Sequence, residues 1–287
     1  MDLNLTQRII LRYYKTKFKL LEKLSPQKAA ASVLQLFFTP YITHRKLERP
    51  AIFHKAEKLS FTFNGNIVRG FKWLSSKPTA KTILVCHGMN SCSYRFEKYV
   101  QLLLTNHFNV LAFDALGHGQ SAGKYLNAIT YSEIIIQIEN KFGPVDGIIG
   151  HSVAGMATTF AMEKLKDEKK KIVLIAPATE TSSQVDIFFK MFHLSDEFRK
   201  FFDKEILRVR GLPITWYSAT RAVKNFNAPV LWIHDTDDII CPYKDTIDLQ
   251  KENLPHIQSV TTKGLGHNKI YRDAGVQKKI IDFLLTE

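Results

Sequence analysis

The chain has 287 residues, of which 45% are hydrophobic and 23% charged, a composition sufficient for the core of a globular protein. It carries 40 Lys and Arg against 27 Asp and Glu, and this net charge of +13 suits a nucleic-acid partner, an anionic membrane or simple solubility. No segment reaches the roughly 20 consecutive apolar residues of a transmembrane helix, and the N-terminus lacks a signal peptide's apolar run and cleavage site. Three cysteines are too few for a disulfide framework, so we expect a reduced, cytoplasmic protein.

The first 55 residues predict a basic helical extension, because they contain eleven Lys and Arg but only three Asp and Glu. Ser25 and Pro26 end one helix and begin a second over about Gln27–Phe38, which Thr39 and Pro40 stop. Along the first helix, a basic and an apolar stripe each recur every three or four residues. The basic stripe is Arg8, Arg12, Lys15, Lys19 and Lys23, and the apolar stripe is Ile10, Tyr14, Phe18 and Leu21.

Two interpretations of this extension stay open. In the first, the apolar stripe packs on the body of the protein and the lysines face water. In the second, the helix makes a peripheral contact with an anionic membrane, where each nearby Lys or Arg contributes about 1 kcal/mol. No nucleic-acid recognition motif accompanies the charge, so we expect no nucleic-acid partner.

From residue 58 the pattern changes to a hairpin followed by alternating strands and helices. Lys58–Phe63 alternates polar and apolar residues, Asn64 and Gly65 form a turn signal, and Asn66–Leu74 returns. The later apolar runs do not alternate, as is typical of parallel strands buried on both faces, and helical segments separate them. A mostly parallel, doubly wound α/β sheet is therefore predicted. Its predicted strands are Thr82–Cys86, Val110–Phe113, Ile148–Ile149, Ile172–Ala176, Val230–Ile233 and about Gln258–Thr261, and its predicted helices include Tyr94–Asn106, Tyr131–Lys141 and Ala154–Lys166.

One interval, about 180–227, interrupts this alternation with helical, phenylalanine-rich sequence. A helical insertion late in an α/β sheet is typical of a cap over the carboxyl ends of the strands, where such sheets bind ligands. Its aromatic residues fit either an apolar substrate pocket or helices that pack on one another. We therefore predict a basic helical extension over 1–57 and one α/β domain over 58–287 with a helical cap at about 180–227.

The segment Gly150-His151-Ser152-Val153-Ala154-Gly155 follows an apolar strand and opens a helix, which is the setting of a nucleophile elbow. A serine hydroxyl can project from such a sharp turn only if the residues two positions before and after it are small. Gly150 and Ala154 meet this requirement. Ser152 is therefore a candidate nucleophile.

Further polar segments follow other predicted strands. Residues 87–90 (His-Gly-Met-Asn) end an earlier strand, where backbone N–H groups can face a developing oxyanion. Residues 234–238 (His-Asp-Thr-Asp-Asp) and 266–268 (Gly-His-Asn) each follow a later one. A nucleophile, an acid and a base thus occur in the chain order Ser, Asp, His, each just beyond the carboxyl end of a strand.

These motifs resemble those of the α/β-hydrolase superfamily over about residues 58–286, and most closely its serine-aminopeptidase-like and monoacylglycerol-lipase-like branch. Members of that branch show segments of the forms HG-x, D-x-R-G-H-G-x-S, G-x-S-x-G, H-G-x-x-D and GH. Here residues 114–121 (Asp-Ala-Leu-Gly-His-Gly-Gln-Ser) match the second form, with Leu116 in place of the usual Arg. Ala154 and Asp235 each stand where the branch usually has Gly.

The resemblance implies that Ser152 is the nucleophile, His267 the general base and Asp238 the acid, with Asp237 as the alternative acid. It also implies that the backbone N–H groups of Met89 and Val153 bind the oxyanion. We expect no cofactor and no metal, because the glycines at 264 and 266 lack a dinucleotide-binding context and the Asp cluster lacks a known ligand spacing.

The predicted activity is hydrolysis of a carboxylic ester, with a lipid-like or medium-chain acyl group, through an acyl-enzyme. The same three groups would serve a peptidase, an amide hydrolase or an acyltransferase, and these alternatives stay open. An alternative of another class is a ligand-binding protein with little turnover. The expected partner is a small-molecule ester or amide, and the sequence does not specify an oligomeric state.

Overall fold

The computed structural model describes residues 5–40 and 47–286, which divide into two compact units. The helical unit comprises residues 5–39 and 180–218, and the sheet unit comprises the remaining described residues. Among the described residues, no helix is both long and apolar enough to cross a bilayer.

Strands and helices alternate along most of the sheet unit. Its strands are β1 (Glu57–Phe63), β2 (Asn66–Trp73), β3 (Thr82–Cys86), β4 (Asn109–Phe113), β5 (Gly147–His151), β6 (Lys171–Ile175), β7 (Val230–Asp235) and β8 (Ile257–Thr262). The helices of the described chain are α1 (Leu5–Leu24), α2 (Pro26–Phe37), α3 (Glu97–Thr105), α4 (Ala128–Phe142), α5 (Val153–Leu165), α6 (Thr181–Phe192), α7 (Asp196–Arg210), α8 (Ala219–Val223), α9 (Ile247–Lys251), α10 (Gly266–Lys269) and α11 (Ala274–Leu285).

The eight strands form one sheet in the order β1-β2-β4-β3-β5-β6-β7-β8. Strand β2 pairs antiparallel with β1 and β4, and every other neighbouring pair is parallel. All residues of β5, β6 and β7 are buried, as the non-alternating apolar runs predict. The predicted α/β fold with a mostly parallel sheet is confirmed.

The local signals at element boundaries also act as predicted. Asn64 and Gly65 both adopt positive φ, of 45° and 74°, in the tight turn between β1 and β2. Pro26 lies in the first turn of α2, and the Ser25 hydroxyl accepts a hydrogen bond from the Lys28 backbone N–H. These caps and turns fix where the elements begin and end.

The helical unit has its own apolar core. Phe18 is fully buried, and its ring lies 5.3 Å from that of Phe192 and 6.2 Å from that of Phe188. Of the two interpretations of the aromatic residues at 180–227, mutual helix packing describes most of them. The buried members of this core are Phe18, Ala29, Ala30, Val33, Leu36, Val185, Phe188, Phe189, Phe192, Phe198, Phe202, Ile206 and Ile214.

Helix α1 packs through a slightly different stripe from the one predicted. Leu11, Tyr14, Phe18 and Leu21 contact the core of the helical unit, whereas Ile10 is exposed. Each residue of an α-helix is rotated by about 100° from the last, so Leu11 shares the face of Phe18 and Ile10 lies at its edge. The apolar stripe therefore packs on protein, mainly on residues far away in the sequence.

The two units divide the chain at 39/40, 179/180 and 218/219. The predicted domain boundaries, at residue 57 and at about 180 and 227, remain a prediction of domain organisation. The difference arises because the rings of α1 pack against those of α6, which joins the N-terminal helices and the inserted helices in one core.

We expect Phe18→Ala to lower the free energy of unfolding of the helical unit by about 3–5 kcal/mol, because it leaves a cavity among aromatic rings. Urea unfolding followed by circular dichroism measures this. Leu20→Ala, at an exposed position of the same helix, is the matched control and should change the value by less than about 0.5 kcal/mol. Equal effects of the two substitutions would contradict the packing described above.

Candidate active site

Ser152 lies in a sharp turn between β5 and α5. Its backbone adopts φ 58° and ψ −124°, a conformation that L-residues rarely adopt and that is typical of functional sites. Gly150 is required here, because a Cβ atom at that position would lie 2.8 Å from the Ala154 carbonyl oxygen. The glycine two positions before Ser152 is therefore needed for the turn itself.

Three hydrogen bonds fix this turn, to the end of β6, to α5 and to the loop after β6. The Ser152 backbone N–H donates to the Ile175 carbonyl at the end of β6, at 3.1 Å. The Ser152 carbonyl accepts from the N–H groups of Gly155, at 2.9 Å, and Ala178, at 3.0 Å. The hydroxyl is thereby presented beyond the carboxyl end of β5.

The structure brings Ser152, His267 and Asp238 together in one hydrogen-bonded chain. The Nε2 atom of His267 lies 3.0 Å from Ser152 Oγ, and its Nδ1 atom lies 2.8 Å from Asp238 Oδ2. All three residues are buried. With Nδ1–H donating to the carboxylate, the neutral imidazole presents the Nε2 lone pair to the serine hydroxyl.

Two backbone N–H groups hold the Asp238 carboxylate in place. Its Oδ1 accepts hydrogen bonds from the N–H groups of Ile240, at 2.9 Å, and Cys241, at 2.8 Å. His234 Nε2–H donates to the Cys241 carbonyl at 2.8 Å and thus secures the same loop. These contacts leave Oδ2 directed at His267.

The two neighbouring aspartates contact the segment that carries His267, not the imidazole itself. Asp235 Oδ2 accepts from the Thr262 hydroxyl at 2.7 Å and from the Leu265 N–H at 3.1 Å. Asp237 Oδ2 accepts from the Gly264 N–H at 3.1 Å. Asp235, which stands in place of the usual Gly, therefore connects the acid loop to the histidine loop, a role that local sequence does not reveal.

The loop after β3 lies directly against the serine. A Cβ atom on Gly88 would lie 2.9 Å from Ser152 Cβ, so only glycine allows this close approach. Met89 follows Gly88, and Val153 is the first residue of α5, where backbone N–H groups lack intrahelical acceptors. Met89 and Val153 each follow in sequence one of the two residues in close contact here, Gly88 and Ser152, and the binding of an oxyanion by their N–H groups stays a prediction.

Histidine rings hold the loops around the site by hydrogen bonds to the backbone. His118 Nε2 accepts from the Asn90 N–H at 3.2 Å, and His87 Nε2 accepts from the Ala115 N–H at 3.0 Å. His151 Nε2 lies 3.2 Å from the His267 carbonyl oxygen. These three histidines therefore organise the loops after β3, β4 and β8.

Asp114 is a further buried residue of the site region to which the sequence analysis assigned no role. Its carboxylate accepts from the N–H and the hydroxyl of Ser93, and from the Gln120 N–H, at 2.7–2.8 Å. Gly119, at φ 49°, permits this, because a Cβ atom there would overlap the carboxylate. Asp114 could have been identified from the sequence, because it is the first residue of the motif at 114–121.

The electrostatic environment separates His267 from the other buried histidines. Burial lowers the pKa of His87 and His118 to about 4, and it also lowers the pKa of His151 and His234. Burial acts on His267 in the same direction, but the Cys241 side chain and the Asp238 carboxylate outweigh it and raise the pKa above 6.5. His267 therefore differs from the other buried histidines of this site in the direction in which its pKa is shifted.

The described residues contain no group of three or more His, Cys, Asp or Glu side chains arranged to hold a metal ion. A hydroxyl hydrogen-bonded to an imidazole, itself oriented by a buried carboxylate, is an arrangement that activates the hydroxyl as a nucleophile. The chemistry that the geometry allows is therefore nucleophilic attack by Ser152 Oγ.

Comparison with known proteins agrees with this architecture. Residues 77–210 match the family model of the serine aminopeptidases S33. The uncharacterized protein YqkD of Bacillus subtilis (strain 168) is 26% identical in an alignment of 235 positions that covers 74% of this chain and 74% of that one.

Two solved structures share the fold. An esterase of Pyrococcus furiosus superposes with a TM-score of 0.64 at 17% identity, covering 86% of this chain and 97% of that one. A monoacylglycerol lipase of Paleococcus ferrophilus gives a TM-score of 0.61 at 21% identity, covering 76% of this chain and 98% of that one. With its mostly parallel sheet and its strand order, this chain has the α/β-hydrolase fold, and within it residues 77–210 are similar to the serine aminopeptidases S33.

Proposed function

We propose that this protein is a serine hydrolase that cleaves a carboxylic ester through a covalent acyl-enzyme. The observation that carries the proposal is the continuous hydrogen-bonded chain from Asp238 through His267 to Ser152, with distances of 2.8 Å and 3.0 Å. The names of the two solved structures of this fold, an esterase and a monoacylglycerol lipase, support an ester as the substrate.

In the first step, His267 Nε2 accepts the proton of Ser152 as Oγ attacks the ester carbonyl carbon. Asp238 orients the imidazole and stabilises the imidazolium that forms. The carbonyl oxygen becomes an oxyanion, which the backbone N–H groups of Met89 and Val153 bind. Val153 lies at the N-terminus of α5, where the helix dipole also favours negative charge.

In the second step, the tetrahedral intermediate collapses and the bond to the leaving alcohol breaks. The imidazolium of His267 gives its proton to the alcohol oxygen, and the acyl group remains on Ser152. Water then attacks the acyl-enzyme with His267 again as base, which releases the acid and restores the hydroxyl. These steps use only side chains, backbone amides and water.

Several groups near the site serve this mechanism through position alone. Asp235 and Asp237 hold the loop that carries His267, and His118 holds Asn90 next to the oxyanion residue Met89. A misplacement of about 1 Å at such a site lowers rates strongly. We therefore regard them as positioning residues.

We expect Ser152→Ala to lower kcat for ester hydrolysis by at least about 10³-fold, because the nucleophile is lost. The measurement uses p-nitrophenyl esters of graded acyl length, together with matched amides, on purified protein. Labelling of the wild type by a fluorophosphonate probe, and none of the variant, provides a second measurement that does not depend on the choice of substrate.

The folding control for this variant is its unfolding curve, which should match that of the wild type. A Ser152→Ala variant that retains wild-type esterase activity would refute the proposal. A wild type that the probe does not label would favour a ligand-binding protein instead.

The role of Asp238 is tested against its neighbour. Asp238→Asn should lower kcat by about 10⁴-fold, because the amide cannot orient and charge-stabilise His267 as a carboxylate does. Asp237→Asn is the matched control: its carboxylate contacts the Gly264 backbone, so we expect a loss below about tenfold. A larger loss for Asp237→Asn than for Asp238→Asn would reverse the assignment.

The pH dependence follows from the raised pKa of His267. Only the neutral imidazole can accept the Ser152 proton, so kcat/KM should rise with pH and reach half its maximum above pH 6.5. His151 and His234 do not account for such a limb, because burial lowers their pKa.

The measurement is a pH profile of kcat/KM with an uncharged ester, and Asp238→Asn provides the comparison. Removal of the carboxylate takes away part of what raises the His267 pKa, so the residual activity should show its acid limb at lower pH. An acid limb below pH 6.5 in the wild type would contradict the raised pKa of His267.

A further inference from the structure

Helix α1 has a second apolar stripe, on the side turned away from the core of the helical unit. Five apolar side chains of this stripe are between 58% and 74% exposed. They are spaced four, four, seven and four residues apart, which is the spacing of one helix face. They are Leu5, Ile9, Tyr13, Leu20 and Leu24.

Three residues of the predicted basic stripe lie alongside this second apolar stripe. At about 100° per residue, Arg12, Lys19 and Lys23 are close to Leu5 in angle around the helix and far from the buried Phe18. The side chains of all three are exposed. We call the second apolar stripe and these three basic residues together the outer face of α1.

Negative charge is nearly absent from this helix. Glu22 is the single acidic residue of α1, and its carboxylate accepts a hydrogen bond from the Ser195 hydroxyl within the helical unit. The outer face is therefore both apolar and strongly positive, and its charge is complementary to an anionic surface.

We propose that the outer face of α1 docks on an anionic lipid bilayer, with the helix lying in the interfacial plane. Helices that bind in this way present Leu, Ile and aromatic side chains to the acyl region and Lys or Arg to the headgroups. With 20 residues, α1 is about 30 Å long, and its charged residues prevent it from crossing the bilayer. The favoured source of negative charge is the phosphate of anionic phospholipids.

The charge pattern argues against a second copy of this chain as the occupant. Two outer faces in contact would bring basic stripes together without carboxylates between them, and like charges in contact repel. An anionic bilayer offers negative charge and an apolar interior to the same helix face. This inference concerns residues of the helical unit and does not depend on the proposed catalytic activity.

The first experiment is flotation of the full-length protein with lipid vesicles. One set is pure phosphatidylcholine and the other an equal mixture of phosphatidylcholine and phosphatidylglycerol. We expect at least about tenfold tighter binding to the mixed vesicles, and weaker binding when NaCl is raised from about 0.1 M to about 0.5 M. Equal binding to both sets, or no binding to either, would overturn the proposal.

Substitutions on the outer face separate its two components. Arg12→Gln/Lys19→Gln/Lys23→Gln removes charge, and Ile9→Gln/Leu20→Gln removes apolar contact, at exposed positions where folding should be unaffected. Each variant should bind mixed vesicles at least about tenfold more weakly than the wild type. Thermal unfolding checks that the variants remain folded.

The matched controls carry the same changes on the sheet unit. Lys58→Gln/Lys98→Gln/Lys279→Gln removes the same charge from exposed positions, and Ile67→Gln/Leu74→Gln removes the same number of exposed apolar side chains. Both should bind like the wild type, within about twofold. If they lose binding as strongly as the α1 variants, net charge or general hydrophobicity explains the binding and the proposal fails.

Sedimentation equilibrium without lipid tests the second copy as occupant. We expect the wild type and Ile9→Gln/Leu20→Gln to have the same oligomeric state. A dimer lost in that variant, together with vesicle binding equal to that of the wild type, would assign the outer face to self-association and overturn the lipid proposal.

Discussion

The strained backbone of Ser152 is the constraint on which the active-site architecture depends. A positive φ at a non-glycine residue costs of order 1–3 kcal/mol, so the surrounding structure must hold it in place. The hydrogen bond to Ile175 at the end of β6 and the close packing of Gly150 against α5 do this. The hydrogen bond to Ile175 requires β5 and β6 to be parallel neighbours, which they are, and the packing of Gly150 requires α5 to follow β5 directly. The backbone conformation of Ser152 therefore depends on the arrangement of the strands and of α5.

Most of the sheet could be predicted from sequence because its signals are local. The apolar runs of β3, β6 and β7, the Asn64-Gly65 turn and the Ser25-Pro26 cap each specify structure within a few residues. The roles of Ser152, Asp238 and His267 could also be predicted from their order in the chain, since each lies within five residues of the end of a strand. Parallel strands buried on both faces appear in the sequence as continuous apolar runs. Because the carboxyl ends of such strands lie at one edge of the sheet, the runs also predict that these groups lie close together.

What could not be predicted depends on contacts between distant segments. Asp235 accepts hydrogen bonds from Thr262 and Leu265, and Asp114 from Ser93 and Gln120; such carboxylate contacts leave no periodicity in the sequence. The joint core of α1 and α6 is similar, because Phe18 and Phe192 are separated by most of the sheet unit's sequence. Periodicity identified both as amphipathic helices but could not show that their apolar faces pair with each other.

Helix α1 has two apolar stripes of different character, and the stability of the fold explains only the inner one. Burial of Phe18 and partial burial of Tyr14 and Leu21 stabilise the helical unit, whereas exposed side chains such as Leu20 contribute little to folding. The i,i+4 like-charge pairs Lys15–Lys19 and Lys19–Lys23 oppose helix formation by about 0.2–0.5 kcal/mol each. An outer face that is apolar, basic and slightly unfavourable in water becomes favourable against a surface that accepts both components. An anionic bilayer has that combination of properties, so the unequal charge distribution of this chain has a physical explanation in the contact proposed for α1.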